Sequence, residues 1–356
     1  MKLLPLFRRF TFVFLSLFVC LQSSSAFSAE SFRLAWTLYP GYMPWDYART
    51  SGIMEKWAKK YNIEIEIVQL NDYIEAINQY SAGQFDAAMM ATMDAYTIPA
   101  AAGVDSTIIA VTDYSDGNDV IILKEGDSVK DLHGKQVNLI EYSVSHYFLA
   151  RALEEVGMSE RDLTLVNTSD ADMVALYAQP SVEAMVTWNP MASEILKRDD
   201  ATSILSSRTM PGELTDSLVV SSQTLADHPE LGKALIGAWY ETLAVMSLDN
   251  DAGRVARESM GIAAGTNLEG YEQQLKDTHL YYQPSAVEAL MSSPALQESM
   301  SSIAEFSFEK GLLGDGAASA ENVGIAYPGG KVWGNPANVT LRFDNSFVGQ
   351  AAAGEL

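Results

Sequence analysis

Residues 65–94, IEIVQLNDYIEAINQYSAGQFDAAMMATMD, and residues 163–190, LTLVNTSDADMVALYAQPSVEAMVTWNP, follow one pattern. Each begins as a strand and reaches an Asp (Asp72, Asp170) that opens a helix with a Tyr (Tyr80, Tyr177) near its end. A turn follows, and an acidic-Ala pair, Asp86-Ala87 or Glu183-Ala184, starts the next strand. Asp72 and Asp170 are 98 positions apart, and Ala87 and Ala184 are 97 apart. Spacing kept this closely over a strand, a helix and a second strand points to two similar lobes.

Working outward, residues 32–38 read as a strand, 52–61 as a helix, 63–70 as an alternating strand, 72–83 as a helix and 85–91 as a buried strand. Such a β-α-β-α-β series forms a mostly parallel sheet covered by helices. The second lobe opens with a strand at 135–142 and a helix at 143–157, which Ser143 or Ser145 would cap and Gly157 would end. After a strand at 216–222 the pattern is strongly helical to Leu313, and those helices are expected to pack back on the first lobe. The chain would therefore cross between lobes twice, near 113–120 and 207–222. The expected division is 30–115 plus 220–345 for lobe 1, 116–219 for lobe 2, and a flexible tail at 346–356. Within lobe 1, the Gly- and Asn-rich segment 327–344 is expected to be ordered only by docking onto the body.

The first residues carry a different signal. Lys2, Arg8 and Arg9 precede an apolar run, Phe10 to Leu21, followed by small residues, which is the layout of a secretory signal peptide cleaved after Ala26 or Ala29. The run is short for a membrane span. A lipid anchor on Cys20 is disfavoured, because Val19 is bulky where a small residue is needed. Cleavage would remove the sole cysteine, and with it any disulfide or thiolate chemistry. It would also leave 20 basic residues against 46 acidic ones, a net charge of −26. That surface repels nucleic acid and anionic membrane.

The sequence has no Gly-rich phosphate loop, no paired-His metal motif and no nucleophile elbow, so no catalysis, cofactor or metal is expected. In open α/β sheets, ligands sit beyond the carboxyl ends of the strands. The loops there are 36–45, 90–96, 112–119, 140–146, 187–191 and 209–217, and none contains Lys or Arg. Trp36, Tyr39, Tyr42, Trp45, Asp94, Asp113, Asp116, Asp119, Glu141, Trp188, Glu213 and Asp216 are all there. Aromatic faces attract cations, and carboxylates form charge-assisted hydrogen bonds with them. The expected ligand-binding set is Trp36, Tyr42, Asp94, Asp116, Glu141, Ser145, Trp188 and Asp216, around a small cationic or amide-like solute. Asp94 also reads as a helix N-cap, and the helix N-terminus at Ser145 and His146 offers amides suited to an anion, which opposes the cation reading.

With these motifs in place, the chain resembles the periplasmic solute-binding proteins of ABC importers, in the branch of nitrate, sulfonate, taurine and thiamine-precursor binders. The resemblance spans roughly residues 32–310 and rests on AGQFDAAMM, SVSHYFLARALEEVG and VEAMVTWNP. More narrowly, WTLYPGYMPW, DYSDGND and TWNP resemble the subgroup associated with urea carboxylase. The resemblance implies a type II fold of two α/β lobes closing on a ligand. It further implies a periplasmic monomer that delivers its solute to an inner-membrane permease with a cytoplasmic ATPase. The solute expected is guanidine or a substituted guanidine, then urea. The alternatives are a sulfonate, taurine or pyrimidine-type solute, or a thiamine-pyrimidine synthase on the same fold.

Overall fold

A computed structural model describes residues 29–356; the expected signal segment and Cys20 lie outside the described residues. Ten strands build the two lobes: β1 (Glu30–Trp36), β2 (Ile63–Gln69), β3 (Ala87–Ala91), β4 (Ser106–Ser115), β5 (Val120–Leu123), β6 (Gln136–Leu139), β7 (Thr164–Asn167), β8 (Ala184–Thr187), β9 (Thr202–Ser206) and β10 (Thr215–Ser221). One sheet contains the order β2-β1-β3-β10-β4, and the other is β7-β6-β8-β5-β9. In both, the first three strands are parallel and the next two pairings are antiparallel. The two sheets therefore share one topology, as the repeated sequence pattern requires. In each sheet, the strand between the third and the last arrives from the far side of a crossing: β5 follows β4 directly, and β10 follows β9.

Of the two repeat-opening residues, Asp170 begins the turn Asp170–Asp172 that leads into the helix Met173–Tyr177, and Asp72 is a true cap. Asp72 caps the helix Tyr73–Ser81, its carboxylate accepting from the Glu75 N–H at 2.8 Å. Ser143 caps Val144–Glu155 through its hydroxyl. Chain after β10 forms the 18-residue helix Pro229–Met246, which packs on the helix Met43–Thr50 with Trp239 against Trp45, ring centroids 5.1 Å apart.

The C-terminal segment is ordered by docking onto the first sheet: β13 (Lys331–Trp333) and β14 (Val339–Phe343) within it, with β12 (Gly324–Tyr327) at its start, extend the sheet beyond β4, and β11 (Thr278–Leu280) pairs with β4 as well. Residues 346–356 are no flexible tail; Ser346–Ala353 is a helix with Phe347 and Val348 buried. These apolar side chains pay the ordering entropy that a polar tail could not. Phe347 sits so close to Gly232 that a Cβ there would lie 2.5 Å from its ring.

The long helix also depends on a close approach at Gly237, where a Cβ would lie 2.4 Å from the Trp57 ring. Trp57 is also held by the next turn of the same helix, its indole N–H donating to Glu241 at 2.7 Å. Gly237→Ala is therefore expected to cost about 1–3 kcal/mol through overpacking, despite the better helix propensity of Ala. Urea unfolding of the variant and the parent measures it; equal midpoints would show that Trp57 moves aside freely.

Candidate functional site

The loops after the parallel strands of both sheets meet at one cavity of about 30 Å³, space for about two or three water-sized groups. Thr37, Tyr39, Tyr42, Tyr73, Ala91, Thr215 and Asp216 line it from the side of the first sheet, and Asp119, Val144 and Trp188 from the side of the second. The walls are aromatic: Tyr39 packs edge-on against Tyr42 at 4.9 Å, and Tyr73 edge-on against Trp188 at 5.9 Å. Trp188 spans the lobes, its indole N–H donating to the Leu38 carbonyl at 3.3 Å.

Carboxyl groups surround these rings. Tyr42 donates its hydroxyl proton to Asp216 in a short hydrogen bond. Tyr39 does the same to Asp113 at 3.1 Å, and Tyr73 to Asp94 at 2.7 Å. Asp119 borders the cavity directly, with Ser115 as its hydrogen-bond partner. All four carboxyls are buried, and among the described residues none is paired with Lys, Arg or His. Burial is the largest cause acting on each: it raises Asp94 to about 7 and Asp119 to about 6, and pushes Asp113 and Asp216 upward, with the charge of Asp113 adding to the effect on Asp216. Burial also keeps the Tyr39, Tyr42 and Tyr73 phenols protonated, well above their ordinary range, so they remain donors to these carboxyls.

The backbone is shaped for this approach. A Cβ at Gly41 would lie 2.8 Å from both oxygens of Asp113, so only glycine lets the chain pass over that carboxyl. At the first crossing Gly117 has φ +127°, where a side chain would also meet Arg208 at 2.8 Å.

The sequence-predicted residues divide here. Tyr42, Trp188 and Asp216 line the cavity. Asp94 stands just behind Tyr73, buried, with its Oδ1 lacking any partner. Its expected N-cap role does not hold: Ala91 precedes the helix Thr92–Ala95, and Asp94 is inside its first turn. Trp36 is in the core instead, because alternation at the end of β1 turns Thr37 toward the cavity and Trp36 away. Asp116 sits at the crossing surface, 4.0 Å from Arg208. Glu141 is half-buried outside the cavity, its N–H donating to Asn167 at 3.0 Å. Ser145 is buried behind Val144, its hydroxyl without a partner. The anion-suited amides are occupied: Val144 N–H points to Asp94 at 3.4 Å, Ser145 N–H to the Ser143 hydroxyl, and the His146 N–H to the Ser143 carbonyl. Tyr39, Asp113 and Asp119 lay in the expected loops but outside the predicted set. Tyr73 lay outside the loops altogether, masked by its position just after a helix cap. Trp45, expected in a loop, is in the first turn of the helix Met43–Thr50 and buried in the core.

Outside the cavity an interlobe cleft of about 830 Å³ opens to solvent, and Thr215 borders both spaces. Glu154, Glu213, Glu298, Glu305 and Glu309 face it with Arg151 and Lys310, giving an acidic approach.

The NMT1/THI5-like family model matches residues 51–249. A protein of Escherichia coli (strain K12) named for binding aliphatic sulfonates is 32% identical over 99 residues, which is 27% of this chain and 31% of that one. This match thus spans under a third of the relative's length. Among solved structures, the alkanesulfonate-binding protein SsuA from Xanthomonas axonopodis pv. citri, bound to MOPS, superposes with TM-score 0.65 at 17% identity, over 81% of this chain and 96% of that one. The periplasmic nitrate-binding protein NrtA from Synechocystis PCC 6803 gives TM-score 0.57 at 12% identity, over 90% and 98%. The chain has the two-lobed α/β fold of periplasmic binding proteins, as expected from its sequence.

The buried carboxyls have a measurable cost. Asp94, raised to about 7, stays protonated in the folded protein at pH values where the unfolded chain has released its proton. Folded protein then binds more protons than unfolded, so this group's contribution to stability falls as pH rises from about 4 to 7. Asp94→Asn is expected to raise the stability of the ligand-free protein at pH 8 by about 2 kcal/mol and to flatten the decline between pH 5 and 8. Denaturant unfolding at the two pH values checks this; identical pH slopes in parent and variant would show that Asp94 ionises freely.

Proposed function

The chain belongs to the NMT1/THI5-like family, and on that footing we propose that it is the extracytoplasmic solute-binding component of an ABC importer for a small planar nitrogen cation, guanidine or a substituted guanidine. The observation that carries the solute class is the set of buried carboxyls without a basic partner around an aromatic cavity. A cation entering it replaces the missing counter-ion. Guanidinium presents forked donors to a carboxylate edge and a flat face to an aromatic ring, which fits Asp216 and Asp119 beside Tyr42 and Trp188. At about 30 Å³ the cavity suits a solute of a few heavy atoms.

A sulfonate or nitrate, the solutes named for the structural relatives, would meet the carboxyls unscreened, and the helix amides that could receive it are already engaged. Urea, neutral but of the same shape, is the second reading, since the phenols and carboxyls also match its amide donors. Export by the N-terminal signal, delivery to a permease and ATPase, and action as a monomer complete the proposal. No helix among the described residues is long and apolar enough to cross a membrane.

Calorimetric titration of the mature protein with guanidinium, urea and taurine at matched ionic strength is the test. Guanidinium should bind at micromolar concentration or tighter, urea more weakly, and taurine not at all. Asp216→Asn should cost about 3 kcal/mol, roughly a hundredfold in affinity, by removing the charge that meets the ligand. Tight taurine binding with guanidinium silent would overturn the cation reading while keeping the import role.

A further inference from the structure

Asp113 and Asp216 are directly opposed cross-strand partners on β4 and β10, and both are buried. Two buried carboxyls set side by side with no counter-charge do not both ionise, so one of the pair holds a proton. The groups facing the pair offer no positive charge in exchange. Tyr39 and Thr112 donate to Asp113, and Tyr42 to Asp216. Tyr271 and Tyr281 flank Asp113 from the helix Leu268–Lys276 and the segment after β11, and Asp119 adds a third carboxyl. Only Asp216 of the pair borders the cavity; Asp113 lies behind it under Gly41.

Building on the cation reading above, we propose that Asp113 and Asp216 share one proton in the ligand-free protein and release it to solvent when a cation docks on Asp216. Capture is then an exchange of one positive charge for another, and Asp113 is the residue that separates a charged solute from a neutral one of the same shape. The O–H bond of the pair breaks, the proton passes to buffer, and the net charge of the site is unchanged. Urea brings no charge to replace the proton, so the pair keeps it. The linkage has a definite sign: a cation that displaces the shared proton binds more weakly as pH falls, by about tenfold per unit where the ligand-free pair holds that one proton fully.

The test is titration of the mature protein with guanidinium chloride at pH 7 in phosphate and in Tris, whose ionisation enthalpies differ widely. The difference in observed heat gives the number of protons released. About one proton per guanidinium and none per urea is expected, with guanidinium affinity falling at lower pH. In Asp113→Asn the amide supplies the missing donor, so release should drop to near zero and the pH dependence of affinity should flatten. A purely structural role for Asp113 would weaken binding without changing proton release. Guanidinium binding with equal heats in both buffers overturns the exchange but leaves the cation reading standing, as does undiminished release in Asp113→Asn. No binding of guanidinium in either buffer overturns both. Should the variant fail to fold, proton release by the parent protein decides alone.

Discussion

A carboxylate taken out of water without a counter-ion is among the costliest groups a protein can bury, and this fold buries four around one small space. The cost is held down by phenol and hydroxyl donors from Tyr39, Tyr42, Tyr73 and Thr112, and by retained protons. What remains is an unmet demand for positive charge, fixed in place before any ligand arrives. Preorganised polarity of this kind exchanges stability for affinity. The aromatic rings have two tasks in it: their hydroxyls steady the carboxyls and their faces close the cavity.

The same economy appears where the lobes touch. Ser169 donates to Asp72 at 2.6 Å, and the Tyr73 N–H donates to Asp170 at 3.1 Å. Asp72 and Asp170 are the matched positions of the two sequence copies, so the lobes meet through the helix starts that their repeat has in common. Tyr73, between this contact and Asp94, ties the interlobe seam to the cavity wall. The interlobe contact and the cavity wall therefore use the two ends of one residue.

Much of the architecture was legible because it rests on periodicity and caps. Asp72, Ser143 and the acidic-Ala pairs are local signals, and the matched spacing of Asp72 with Asp170 and of Ala87 with Ala184 reflects the topology the two sheets share. The small C-terminal strands were not legible as strands, since their stability comes from sheet pairing, β14 on β4 and then β12 and β13 in turn, and not from their own Gly- and Asn-rich sequence. At the site, the absence of Lys and Arg from the loops gave the sign of the charge. Which ring faced the cavity was hidden, because a single step along β1 decides between Trp36 in the core and Thr37 at the wall. Asp113 and Asp216 are neighbours only through pairing of strands about a hundred residues apart in the chain, which no local pattern reveals.

The placement of β10 between β3 and β4 also governs the order of assembly. Until residue 221 is available, the first sheet lacks its middle strand, and β3 and β4 have no partner across that gap. Local pairing of β1 with β2 and β3 can form early, but closure waits for a strand separated from β4 by the entire second sheet. Contacts of such long sequence separation slow folding, because loop-closure entropy is spent before the pairing returns it. A nascent chain of this design stays incompletely folded until well past its midpoint, and the cavity takes shape only after both sheets are complete.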